Sequence, residues 1–197
     1  MKNYRKSERL GLYLIDKGNE MSKTVVVYHS GYGHTERLAQ SVAEGAKATL
    51  VAIDADGNVS EQNWALLDAA DAIIFGSPTY MGMVSWQFKK FADASSSKWF
   101  SRAWANKVAG GFTISANLSG DKFSTLQYFV TLAMQHGMIF VGQSSLNDGK
   151  VNRLGSHAGV MAQVGATESA AEIPQSDLDT AKAFGVRVAE VAQKLKA

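Results

Sequence analysis

Residues 23–35 read Lys-Thr-Val-Val-Val-Tyr-His-Ser-Gly-Tyr-Gly-His-Thr, and no other stretch constrains the chain as much. Residues 24–27 are β-branched and apolar, the composition of a strand covered on both faces. Hydroxyl and glycine residues follow at once, and a helical pattern starts directly after them. A helix N-terminus carries unsatisfied N–H groups and roughly +0.5 of charge. Gly31 and Gly33 let the backbone curl around an anion. Ser30 and Thr35 add hydroxyls, and Tyr32 and His34 complete the loop. The loop has neither the lysine of the nucleoside-triphosphate motif nor the Gly-x-Gly-x-x-Gly spacing of dinucleotide sites. Neutral donors on a helix dipole suit one phosphate monoester better than a triphosphate with magnesium. The plainer alternative is a strand-to-helix turn in which Ser30 and Thr35 only cap the helix.

Strand-like and helix-like segments alternate from there on. Strands are expected at Thr24–His29, 48–54, 71–76, 107–114 and 138–141, the fourth weakened by Gly110 and Gly111. Helices are expected at 33–46, 60–67, 84–94 and 122–135, with a last one capped by Ser176 or Asp177 and running to Leu195. In the first, Leu38, Val42 and Ala46 fall on one face. Residues 142–165 are rich in Gly, Ser and Asn and carry almost no period; loops of that length are usually functional or interfacial. This alternation predicts an α/β fold, a doubly wound five-stranded parallel sheet of order 2-1-3-4-5 with helices on both faces. Ligands of such sheets sit beyond the carboxyl ends of the strands.

Composition removes several function classes. The 197 residues suit one domain, and 46% hydrophobic content supports a sizeable core. Without cysteine there are no disulfides, thiolate metal sites or thiol catalysis, which fits a reducing, cytoplasmic setting. A net charge of +2 with no dense basic patch gives no reason to expect nucleic acid. No apolar run is long enough to span a membrane, and no His/Asp/Glu cluster has metal-ligand spacing. Residues 1–20 differ in character from the rest. Met21 stands where a natural start would, which suggests an upstream extension, non-native or disordered; the alternative is an interfacial or oligomer-forming arm. Residues 21–197 then form the single domain.

Three loops should meet at the carboxyl edge. The second, residues 76–84, holds Pro78, Thr79, Tyr80, Met81 and Gly82: large flat side chains beside backbone polar groups, suited to a planar heteroaromatic ring. The third, residues 113–121, holds Thr113, Ser115, Asn117, Ser119 and Gly120, able to bond a polar chain or a ring edge. Each loop alone could be a packed turn or a helix cap. Together they describe a site for a phosphate, a polyol and a flat ring, which is flavin mononucleotide (FMN).

The first loop resembles the flavodoxin phosphate loop, with Tyr32 where flavodoxins usually carry Thr or Ser. Residues 77–82, Trp99, residues 113–120 and residues 132–138 resemble the flavodoxin-like NAD(P)H:quinone oxidoreductases of the tryptophan-repressor-binding-protein (WrbA) type and the looser NADPH-dependent FMN reductases. The resemblance covers residues 23–195. It implies FMN as cofactor, NADH or NADPH as donor, and a quinone or similar flat acceptor reduced in a ping-pong cycle. It also implies that Trp99 and His136 wall the acceptor site, and that the chain forms a dimer or tetramer. Tyr80 and Met81 replace the family's Arg-Phe, and Met83 its Asn. Two alternatives stay open: an electron carrier without its own substrate, and an interaction module without flavin.

Overall fold

The computed structural model describes residues 21–196; the expected extension at residues 1–20 lies outside them. In chain order the elements are β1 (Thr24–His29), α1 (His34–Ala46), β2 (Thr49–Ile53), α2 (Glu61–Ala69), β3 (Ala72–Tyr80), β4 (Met83–Val84), α3 (Trp86–Ala94), α4 (Ser96–Phe100), β5 (Val108–Ser115), α5 (Lys122–His136), β6 (Ile139–Phe140), β7 (Val160–Gln163) and α6 (Gln175–Lys196). A single 3-10 turn, Ala170–Glu172, precedes α6.

The parallel sheet has the order β2-β1-β3-β5-β6, the order expected from the alternation. The strand count differs: seven, not five. β4 folds back antiparallel on the tip of β3, pairing Tyr80 with Met83. β7 pairs with β5 in parallel, from Phe112↔Val160 to Ser115↔Gln163. One edge lane is therefore shared, with β6 covering Val108–Ala109 and β7 the far half of β5. Four residues are too few to show a period, so β7 lay hidden in the long loop. The third strand also runs four residues further than expected, to Tyr80.

Alternate side chains of the central strands feed two cores, as the pleat requires. Val26, Ile74 and Phe112 pack with Leu38 and Val42 of α1 and Phe184 and Val188 of α6. Val25, Val27, Ile73 and Phe75 pack on the other face with Phe88, Phe91, Leu126 and Phe129. Helices α1 and α6 touch backbone to backbone: a Cβ on Gly45 would overlap the Lys182 carbonyl, and one on Gly185 the Val42 carbonyl.

Two end effects correct the sequence reading. α6 starts at Gln175, after Pro174, so neither Ser176 nor Asp177 caps it. Asp177 is instead buried and takes a bidentate bond from Arg153, Nε to Oδ1 at 2.7 Å and Nη2 to Oδ2 at 2.8 Å. Its Oδ2 also accepts the Gln163 N–H at 3.0 Å. This pair pins the end of β7 and the excursion before it onto α6. The second difference is α4, a short helix not among those expected, which carries Trp99 and Phe100.

Candidate functional site

The β1–α1 connection builds the anion side of the cleft. Gly33 is the helix N-cap and makes no side-chain capping bond. Among the described residues, no acceptor meets the backbone N–H groups of Tyr32, Gly33, His34 or Thr35. Thr35 is buried, and it lines the cleft. Four amides and a hydroxyl at a helix N-terminus, with no lysine or arginine among residues 30–35, could hold an anion. Ser30 is partly committed: its Oγ accepts the Glu36 N–H at 3.1 Å, which leaves its own O–H to donate. His34 reaches across, Nε2 lying 2.8 Å from the Glu168 carbonyl. Tyr32 stands 80% exposed, its ring edge-on to Tyr80 at 6.4 Å.

The tip of β3 supplies the second wall, Pro78, Thr79 and Tyr80. Burial, and then the neighbouring Tyr32, push the Tyr80 phenol above its ordinary pKa, so it is a neutral O–H at pH 7. Met81, at φ 48°, turns the hairpin and projects fully into solvent, with Gly82 beside it. The Thr79 hydroxyl bonds both Thr113 and Thr125, each at 2.8 Å. Thr113 is completely buried. The expectation that its side chain meets the cofactor is therefore corrected: its hydroxyl braces the floor from beneath.

The third wall is Ile114, Ser115 and Ala116. Its loop is organised by a residue that sequence reasoning passed over. Lys122, the first residue of α5, is fully buried. Its Nζ donates to Ser115 Oγ, Asn117 O and Leu118 O, each at 2.8 Å. Burial pushes its pKa down to about 8; Asp177 opposes that and Arg153 adds to it. Gly120 is required just here: at φ 53° it sits in the left-handed region, and a Cβ would overlap Ser115 Oγ. Asn117 and Ser119 are exposed beside the cleft and do not line it. A fourth wall, Val164, Gly165 and Ala166 after β7, was missed with β7 itself.

Trp99 and His136 are not brought to this cleft. α5 has 15 residues and starts at the cleft, so His136 lies about 20 Å away along its axis. The Asn106 N–H bonds Gly137 O at 2.9 Å, which fixes this end of α5 at the start of β5. His136 is buried, its Nε2 2.9 Å from Ser95 Oγ and its ring 4.5 Å from Trp104. Burial, and then the Arg102 charge, hold its pKa below the ordinary value. In this chain it is a core histidine and is not among the residues lining this cleft. Trp99 is at the same end and 47% exposed.

Sheet order, the anion loop and the apolar walls together define a flavodoxin-like fold with a nucleotide site at its switch point. The NADPH-dependent FMN reductase family model matches residues 25–153. Flavodoxin FldP of Pseudomonas aeruginosa is 53% identical over 184 residues, covering 90% of this chain and all of that one. An NAD(P)H dehydrogenase (quinone) of Azorhizobium caulinodans is 33% identical over 199 residues, covering 89% and 99%. The crystal structure of a flavodoxin, WrbA-like protein from Agrobacterium tumefaciens superposes with a TM-score of 0.75 at 59% identity, over 88% of this chain and 98% of the other. The chain belongs to the NADPH-dependent FMN reductase family, a family of FMN-dependent, flavodoxin-like oxidoreductases.

Proposed function

We propose that the cleft binds FMN and that the protein passes a hydride from NADH or NADPH, through the flavin, to a quinone or similar flat acceptor. Donor and acceptor would take turns at one face, a ping-pong cycle. The observation that carries this reading is the set of unpartnered donors at 32–35, free of any lysine or arginine, beside the apolar walls Pro78, Tyr80, Ile114 and Val164. A phosphate monoester fits the first and a flat ring the second. FMN, when bound, supplies the two-electron chemistry. The amides of 32–35 and the Thr35 hydroxyl would hold its phosphate, and Ser30 can add its O–H. Tyr80, a neutral phenol, would border the ring without adding charge. The quinone acceptor is supported by the name of the Azorhizobium relative.

Among the described residues no helix is long and apolar enough to cross a membrane. A homo-oligomer, dimer or tetramer, is part of this reading. Trp99 and Phe100 are exposed at the far end of the sheet, so Trp99 could border a flavin only across a subunit boundary.

A carrier without its own substrate is the second reading, supported by the greater identity to a protein named flavodoxin (53%) than to the quinone dehydrogenase (33%). Anaerobic addition of NADH or NADPH to the FMN-loaded protein separates the two. Bleaching by a nucleotide and recovery on adding benzoquinone is the result expected of the enzyme. A flavin that neither nucleotide reduces leaves the carrier.

A further inference from the structure

Lys122 is a charged side chain with no exposed surface and no carboxylate bonded to it. Such a group is costly to bury and needs a compensating set of acceptors. Here three oxygens meet its three N–H donors: Ser115 Oγ, Asn117 O and Leu118 O. The Ser115 hydroxyl also donates to Asn117 O at 2.9 Å. The carbonyls of residues 117 and 118 are thus turned inward. In a planar trans peptide the N–H points opposite to the C=O. The Leu118 and Ser119 N–H groups therefore point away from the lysine, on the exposed side of the loop, next to the cleft wall Ser115–Ala116. Among the described residues neither N–H has an acceptor.

We propose that Lys122 is a positioning residue of the flavin site: its ammonium locks the 115–118 loop so that two outward N–H groups stand ready for the carbonyl-bearing edge of the ring. This rests on the FMN reading above. A neutral amine has two N–H donors for three oxygens and turns a lone pair toward the third. The loop is then no longer held in one arrangement. The charged groups facing Lys122 are Asp177 of α6 and Arg153 of the excursion, themselves paired. With burial they leave its pKa at about 8, so the lock opens in mild alkali.

Two pH effects of opposite sign follow. The unfolded lysine titrates near 10.4 and the folded one near 8. Between these values the unfolded chain binds more protons, so Lys122 makes the apoprotein more stable as pH rises. FMN affinity moves the other way. If binding needs the ammonium, linkage gives about a tenfold rise in Kd from pH 7 to 9. The second phosphate ionisation, near 6, is about nine-tenths complete at pH 7 and changes little above it.

The test is a flavin fluorescence titration of the full chain from pH 7 to 9, beside thermal unfolding of the apoprotein. The expected result is a Kd that climbs about tenfold while apo stability does not fall with it. K122Q should bind FMN more weakly at pH 7, with a pH-independent Kd. K122R, whose charge does not titrate in this range, should also lose the alkaline climb. If these variants fail to fold, the wild-type profile decides alone. A flat wild-type Kd overturns the role of Lys122 and leaves the flavin reading standing. No FMN binding at pH 7 overturns the flavin reading itself.

Discussion

The two ends of the sheet are built to opposite rules. At the amino end, Trp64, Phe91 and Trp104 stack at 5.1 to 6.4 Å, and His136 closes the stack. The Trp104 Nε1–H donates to Asp68, which also pairs with Lys98 at 2.6 Å. The carboxyl end is lined by hydroxyls and turned peptides, and leaves backbone N–H groups at 32–35, 118 and 119 without acceptors in the described chain. A domain tolerates unmet donors where a ligand or water satisfies them. One end stores stability; the other stores binding capacity.

The largest effect should come from the amino end. Trp104→Ala empties a fully buried site and should lower unfolding free energy by about 3–5 kcal/mol. Chemical denaturation measures it. FMN affinity of the folded fraction should stay as in the wild type. A loss of affinity as large as the loss of stability would erase the contrast between the ends.

Thr35→Val reverses the pattern. The proposed charge-assisted hydrogen bond to phosphate would be lost, costing about 1–2 kcal/mol of FMN binding. Unfolding of the apoprotein should shift by less than about 1 kcal/mol. A titration and a melt on one preparation test both.

Acid acts on both ends through two buried histidines, His29 and His136, whose pKa values burial lowers; Arg102 adds to the effect at His136. Each has a buried Nδ1 without a partner among the described residues. In the unfolded chain each takes a proton near pH 6.5, while the folded chain resists it until lower pH. Stability from both is complete above that pH and is lost as pH falls through the folded values. Unfolding free energy measured from pH 7.5 to 5 should fall, and H136Q should make the fall shallower. An unchanged slope would mean that His136 carries no part of it. The smallest effect is expected of Trp99→Ala. Its exposed ring should cost the monomer less than about 0.5 kcal/mol, so a change in assembly by sedimentation would mark it as an interface residue.

Much of this was legible in the chain. The buried strands Thr24–His29 and β3 announced themselves by continuous apolar runs, and their loops were placed correctly at one edge. β7 was not legible, because Val160–Gln163 is short and gains its place from distant partners, by pairing with β5 and by the bond of Gln163 to Asp177. Thr113 looked like a ligand contact because a hydroxyl in a strand-end loop gives no sign of which way it faces. The resemblance attaches His136 and Trp99 to the acceptor site, whereas within this chain the length of α5 takes His136 to the other end of the sheet, where α4 holds Trp99. Lys122 was invisible for a simpler reason: a lysine at a helix start reads as surface, and only the folded loop shows three oxygens waiting for it.

The most direct test is FMN titration of the wild type beside Thr35→Val and Trp104→Ala under conditions where all three are folded. The expected result is one FMN per chain, weakened about tenfold by Thr35→Val and unaltered by Trp104→Ala. No saturable FMN uptake, or equal affinity in wild type and Thr35→Val, would contradict a phosphate cradle at the carboxyl end of β1.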